Sequence, residues 1–200
     1  MSVSPALKHL PNAISIARLC STPVLAALAW AGLKGPFTWL LMAALMSDAA
    51  DGYIARTFSV TSPVGALLDS VADACLMLAI GWGTWVFHPE VYLEYGLVVG
   101  VAVTLWIVEH LAALMRYGRF SSFHTALVRF AVLVFAVFVA VLFLLDFYPW
   151  LFYLAAGLSI LAVLEQLAMI CVVPTWSPDL RGGILEVRRR RRLARAPEDT

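Results

Sequence analysis

Six apolar stretches constrain the fold of this chain more than any other feature. They cover roughly residues 13–32, 36–57, 63–87, 92–116, 124–145 and 150–172. A helix of about 20 apolar residues crosses the hydrocarbon core of a bilayer, where the backbone satisfies its hydrogen bonds only as a helix or a closed barrel. The chain is 62% hydrophobic and its mean hydropathy is +0.87. We therefore expect an all-α integral membrane protein with six transmembrane helices.

Prolines punctuate these stretches and indicate where helices begin or stop. Pro36, Pro63, Pro89 and Pro149 all lie at predicted boundaries, as proline favours the first turn of a helix. Residues 1–12 predict a short juxtamembrane amphipathic helix that lies along the membrane surface. Residues 13–173 then form one transmembrane domain, and residues 174–200 form a basic cytoplasmic tail.

The basic residues predict the orientation. With the N-terminus inside, all of the 14 Lys and Arg residues except Lys34 fall in cytoplasmic segments, which is the arrangement that the positive-inside rule requires. Both termini are therefore predicted to be cytoplasmic, in a multi-pass protein of a bacterial inner membrane. The arginine run 188–192 indicates an anchor for anionic lipid, so no nucleic-acid partner is expected.

Four carboxylates interrupt the apolar sequence between residues 48 and 73. Asp48 and Asp51 are three residues apart and Asp69 and Asp73 are four apart, so each pair occupies one helix face. Like charges this close in an apolar setting require a cation, and oxygen ligands suit Mg²⁺ or Mn²⁺. The predicted topology puts both pairs just under the cytoplasmic surface. The sequence therefore predicts a metal site that faces the cytoplasm.

Two glycines beside the carboxylates indicate a bulky ligand. Gly52 and Gly65 lie on predicted helices, where glycine costs about 1 kcal/mol relative to alanine. That cost is understandable if a ligand must approach the backbone closely. Arg56 follows the first acidic pair and can contact a phosphate.

One motif begins at Asp48 and has the spacing Asp-x2-Asp-Gly-x2-Ala-Arg-x8-Gly-x3-Asp-x3-Asp. It resembles the signature of the class I CDP-alcohol phosphotransferases, also called CDP-alcohol phosphatidyltransferases. Every fixed position of that signature is present. The resemblance implies an enzyme of phospholipid synthesis, which transfers a phosphatidyl group from CDP-diacylglycerol to an alcohol and releases CMP. It also implies two Mg²⁺ or Mn²⁺ ions and a homodimer in the lipid bilayer.

The resemblance also assigns roles to individual residues. It makes Asp48, Asp51 and Asp69 metal ligands, and makes Asp73 both a ligand of a second metal and the general base. Gly52, Ala55 and Gly65 would leave room for the cytidine and the diphosphate, which Arg56 would steady. The residues implied to bind CDP are Asp48, Gly52, Ala55, Arg56, Gly65 and Asp69.

The acceptor alcohol is open at this point. The segment Pro11-Asn12-x-x-Ser15-x-x-Arg18 is similar to that of phosphatidylglycerophosphate and cardiolipin synthase-like members, so Arg18 is either a phosphate contact or a snorkelling anchor. Glu109 and Arg116 resemble part of an Arg-Glu-x6-Arg segment of phosphatidylglycerophosphate synthases, with Val108 in place of the first arginine. Glycerol 3-phosphate is one candidate acceptor among several. The candidate acceptor residues are Arg18, Glu109, Arg116, His124 and Arg129.

Two other functions are compatible with the acidic cluster. A divalent-cation transporter would also collect carboxylates, although transporter sites usually lie near the midplane. A non-catalytic relative kept for membrane assembly would have no need of all four carboxylates. Glu165, within the sixth stretch, is predicted to hydrogen-bond inside the helix bundle.

Overall fold

A computed structural model of the chain describes residues 5–58, 63–118 and 125–173 together with Gly183, and side chains within 13–47, 67–118 and 125–173 and at Gly65 and Gly183. The described backbone is helical apart from short connections. The helices, in chain order, are α1 (Pro5–Trp30), α2 (Lys34–Phe58), α3 (Pro63–Phe87), α4 (Glu90–Tyr117), α5 (Ala126–Leu144) and α6 (Pro149–Val172).

Proline and glycine set several helix ends. Pro63 and Pro149 are the first residues of α3 and α6, where the missing N–H would have no intrahelical partner in any case. Gly32 and Gly118 follow the ends of α1 and α4 with φ values of 70° and 66°. A left-handed residue after a helix lets the chain turn away, and glycine adopts it without strain.

The predicted all-helical membrane fold is confirmed in its main feature. Among the described residues, five helical segments are long and apolar enough to cross a membrane: Ala13–Trp30, Leu67–Phe87, α4, α5 and α6. The chain is therefore a multi-pass membrane protein. The sixth crossing, by α2, and the orientation of the termini stay predictions.

The N-terminal segment differs from the expectation of a separate amphipathic helix. α1 runs without a break from Pro5 to Trp30, so residues 5–12 are the first turns of the helix that carries the first apolar stretch. Pro11 lies inside this helix. The sequence-based boundary at residue 13 marks a change in polarity and not a change in backbone conformation.

The chain divides into two compact units, Met1–Glu94 and Tyr95–Thr200. In the first unit α1 packs along both α2 and α3, whereas α2 and α3 make few contacts with each other among the described residues. Its buried apolar side chains come from all three helices: Leu25, Ala29, Phe37, Leu41, Ala44, Ala72, Leu76, Ala79 and Ile80. α1 is therefore the central helix of this unit.

In the second unit α5 packs along α6. An aromatic cluster, in which Tyr95, Phe147 and Tyr153 surround Phe152, joins the beginning of this unit to the start of α6 with ring centroids 5.1–5.9 Å apart. A second cluster joins the end of α4 to the end of α6 through Ala113, Met169, Ile170 and Val173. That residues 13–173 form a single transmembrane domain stays a prediction.

Candidate active site

Two of the four predicted carboxylates are described, and they lie on one face of α3. Asp69 and Asp73 are one helical turn apart, and each side chain is 47% exposed. Gly65 precedes Asp69 by one turn, in the first turn of α3. This face of α3 therefore offers carboxylate oxygens that remain accessible to a ligand.

The partner of both carboxylates is an arginine from α1. Arg18 Nη1 lies 2.5 Å from Asp73 Oδ1 and 3.5 Å from Asp69 Oδ1. The Ser15 hydroxyl also donates to Asp69 Oδ1, at 3.4 Å. Ser15 and Arg18 are one turn apart on α1, so a polar pair on α1 meets an acidic pair on α3.

The burial of the three side chains is unequal. The Arg18 side chain is 0% exposed, while both carboxylates are half-exposed. A buried charge without a counter-ion is strongly unfavourable, so Arg18 depends on these carboxylates more than they depend on it. The alternative of a snorkelling anchor does not describe Arg18 in this structure, because its guanidinium is buried against α3; the alternative of a phosphate contact stays a prediction.

The described carboxylates suit a divalent cation as part of a larger ligand set. Their two Oδ1 atoms converge on one cationic nitrogen, which shows that this geometry brings two anionic oxygens around a single positive charge. Oxygen donors are those that Mg²⁺ and Mn²⁺ prefer. Among the described side chains, no group of three or more His, Cys, Asp and Glu residues could hold a metal ion. Further ligands would be other groups of the chain, water or the substrate phosphates.

The other half of the predicted site lies on the last turns of α2, which ends at Phe58. The backbone there is helical, as expected, but its side chains, and the surroundings of Gly52, lie outside the part of the chain whose side chains the structure describes. His124 lies outside the described residues altogether. The residues whose side-chain roles therefore stay predictions are Asp48, Asp51, Ala55, Arg56 and His124.

The candidate acceptor residues of the second unit have separate partners. Glu109 is buried, with 1% of its side chain exposed, and its Oε2 lies 2.7 Å from His110 Nδ1. Its Oε1 is buried without a hydrogen-bond partner among the described residues. Arg116 is exposed and donates to the carbonyl of Val173 at 3.4 Å, near the end of α6. Arg129 is exposed on α5.

Two polar clusters bring together residues whose pairing was not predicted from the sequence. In the first unit, His88 Nε2 lies 3.0 Å from Lys34 Nζ and His88 Nδ1 lies 3.0 Å from Glu90 Oε1. These contacts tie the start of α2 to the connection between α3 and α4. The signal available was the polar run His88-Pro89-Glu90, but nothing in the sequence indicated that Lys34 would reach it.

The second cluster joins α5, α6 and Gly183. Thr125 caps α5 by accepting from the Val128 N–H at 3.2 Å, and its hydroxyl donates to Glu165 Oε2 at 2.7 Å. Gly183 has a φ of 57°, and a Cβ atom there would collide with the Glu165 carboxylate. The prediction that Glu165 hydrogen-bonds within the bundle is confirmed.

Comparison with known proteins adds a family match. Residues 8–172 match the family model described as CDP-alcohol phosphatidyltransferase. The chain is 36% identical over 80 residues to a cardiolipin synthase (CMP-forming) of Oryza sativa subsp. japonica, which covers 38% of this chain and 24% of that protein. No solved structure matches significantly.

Two further relatives match longer segments. A CDP-diacylglycerol–inositol 3-phosphatidyltransferase of Saccharomyces cerevisiae is 30% identical over 118 residues, or 58% of this chain and 51% of that protein. A CDP-diacylglycerol–glycerol-3-phosphate 3-phosphatidyltransferase of Pseudomonas fluorescens is 29% identical over 116 residues, or 50% of this chain and 57% of that protein. The chain thus spans about a quarter to just over half the length of these relatives.

Proposed function

This chain belongs to the CDP-alcohol phosphatidyltransferase family, and we propose that it transfers a phosphatidyl group from CDP-diacylglycerol to an alcohol and releases CMP. The observation that carries the proposal is the half-exposed pair Asp69 and Asp73. Both residues lie within the family signature, and both carboxylates contact the guanidinium of Arg18. The names of the relatives add support, since two of them specify CDP-diacylglycerol as a substrate.

Asp73 is proposed as the general base. A hydroxyl oxygen of the acceptor attacks the phosphorus that carries the diacylglycerol, and its proton passes to the Asp73 carboxylate. A new P–O bond forms to the acceptor as the P–O bond to CMP breaks. A base must lie within hydrogen-bond reach of the proton that it removes, and the exposed half of Asp73 allows such an approach.

The proposed ligands for Mg²⁺ or Mn²⁺ are Asp48, Asp51, Asp69 and Asp73, around two ions. When bound, such ions would neutralise the diphosphate and stabilise the attacking oxygen of the acceptor and the leaving oxygen of CMP. Arg18 contributes a buried positive charge in contact with Asp69 and Asp73. By the family resemblance, Gly52, Ala55, Arg56 and Gly65 would accommodate the CDP portion of the donor.

The acceptor is proposed to be a small alcohol, with glycerol 3-phosphate as the first candidate. The three relatives described above have names that specify glycerol 3-phosphate, inositol or a cardiolipin product, so the family match leaves the acceptor to experiment. Glu109, Arg116, His124 and Arg129 remain candidates for its recognition. The buried Glu109 oxygen without a described partner is the strongest of these, because a substrate hydroxyl could satisfy it.

The cellular setting is also part of the proposal. The proposed setting is an inner membrane that the chain crosses six times, with cytoplasmic termini and an active site open to the cytoplasmic face. The distribution of basic residues supports this orientation. A homodimer is the expected assembly by family resemblance.

CMP release by the purified protein tests the function. The protein in detergent is given CDP-diacylglycerol with glycerol 3-phosphate, inositol, phosphatidylglycerol or serine, each with Mg²⁺, with Mn²⁺ and with a chelator. We expect metal-dependent CMP release with one alcohol. Folded protein that releases no CMP with any acceptor, yet carries Mn²⁺ into vesicles, would replace this proposal with the transporter.

A further inference from the structure

The polar contact between α1 and α3 has a consequence for cation binding. Arg18 Nη1 contacts Oδ1 of both Asp69 and Asp73, so one positive charge already lies where two carboxylates converge. The Arg18 side chain is wholly buried, which keeps this charge in place in the substrate-free protein. A divalent cation that binds the same oxygens must either lie close to the Arg18 charge or displace the arginine.

We propose that Arg18 is an internal counter-ion that competes with a divalent cation for Asp69 and Asp73 and so weakens metal binding in the substrate-free protein. The inference rests on the proposed function, in which these two carboxylates are metal ligands. Arg18 would thus be a positioning residue of the site, since it acts through the carboxylates and not on the substrate.

The exposure of the carboxylates indicates that Arg18 competes with a divalent cation for them and does not merely hold them in position. Asp69 and Asp73 are each 47% exposed, so a divalent cation can reach their oxygens although the arginine is buried. Removing the arginine therefore removes a repulsive charge beside the cation, and leaves the anionic ligands in place. Two unit charges within about 5 Å interact strongly even at the effective dielectric near a protein surface.

The test is Mn²⁺ binding to the full-length protein in detergent without nucleotide, measured by electron paramagnetic resonance of free Mn²⁺. Arg18→Gln is expected to bind Mn²⁺ about tenfold more tightly or better than the wild type. Ser15→Ala removes a neutral contact to the same Asp69 oxygen and should leave the affinity nearly unchanged. Lys34→Gln removes an equal charge at the first residue of α2, where Lys34 contacts His88 and neither carboxylate. It is the matched control for net charge.

A second variant keeps the inference testable if Arg18→Gln does not fold. Arg18→Lys retains the buried charge, but its shorter side chain places the ammonium group farther from both carboxylates than Arg18 Nη1 lies. It should bind Mn²⁺ about threefold more tightly than the wild type, a smaller gain than that of Arg18→Gln because the repulsive charge stays close. Equal or weaker binding by a folded Arg18 variant would overturn the inference.

The outcome is separable from that of the proposed function. Mn²⁺ binding needs neither donor nor acceptor, so a protein that releases no CMP can still show the tighter binding of Arg18→Gln. Conversely, CMP release together with unchanged Mn²⁺ affinity in that variant would retain the transferase and remove the competing role of Arg18. Absence of Mn²⁺ binding in both the wild type and Arg18→Gln would contradict the competition.

Discussion

At the residue scale, close packing makes one glycine of α3 indispensable. Phe37 of α2 is fully buried, and a Cβ atom on Gly83 would collide with its ring. Glycine at this position lets a large aromatic ring lie directly against the backbone of α3. Since α2 and α3 make few other described contacts, this pair is an important link between them.

Gly83→Ala is therefore expected to lower thermal stability in detergent. Overpacking a well-filled core costs typically about 1–3 kcal/mol, which exceeds the gain of up to about 1 kcal/mol from the better helix propensity of alanine. Gly100→Ala is the control, because a Cβ atom on Gly100 would meet no described atom within 4 Å. That variant should match or exceed the wild type, and equal melting temperatures for both variants would contradict the packing argument.

At the element scale, Thr125 links the start of α5 to α6. Its hydroxyl caps α5 and contacts Glu165, and the whole residue is buried. One side chain thereby satisfies a free N–H group of one helix and a carboxylate of the next.

Thr125→Val keeps the shape of the side chain but removes both hydrogen bonds. We expect a loss of about 1–3 kcal/mol in stability, from the missing cap and the unsatisfied Glu165, seen as a lower melting temperature. Thr125→Ser retains the hydroxyl and should lose much less. If valine cost no more stability than serine, the two hydrogen bonds would not be the main contribution of Thr125 and the prediction would be contradicted.

The boundaries of the helices were largely predictable because local signals specify them. Pro63 and the run His88-Pro89-Glu90 enclose α3, and its predicted limits agree with the observed Pro63–Phe87. The continuity of α1 was not predicted, because polarity changes near residue 13 while the helical backbone does not.

The pairing of distant residues could not be predicted in the same way. The spacing of Ser15 and Arg18 indicated a shared helix face, and that of Asp69 and Asp73 indicated another. Nothing in either spacing specifies that the two faces meet, because Arg18 and Asp69 are 51 residues apart. The contact of Arg18 with these two carboxylates was therefore not predicted, and its contact with a phosphate stays a prediction.

At the scale of the whole molecule, the basic residues predict the orientation in the membrane. Lys34 is the one Lys or Arg expected outside, while the C-terminal arginines are expected inside. In a variant with Cys20, Cys75 and Cys171 replaced by serine, Lys34→Cys should react with an impermeant maleimide added outside sealed cells. Arg190→Cys should react only after permeabilisation. Labelling of both positions from the same side would contradict the predicted topology.

The role of the α3 carboxylates is the central claim, and Asp73 is its most specific part. Asp73 is also a counter-ion of the buried Arg18, so its removal is expected to lower the melting temperature as well as activity. Any measurement on Asp73 must therefore be made under conditions where the variant is folded, with nucleotide binding measured alongside turnover.

The most direct test compares CMP release by Asp73→Asn and by Asp146→Asn, an exposed acid between α5 and α6. Each loses one carboxylate, but only the first loses the proposed base. We predict that Asp73→Asn loses about 100-fold or more of its turnover and still binds CDP-diacylglycerol, while Asp146→Asn resembles the wild type. Normal CMP release by folded Asp73→Asn would contradict the account.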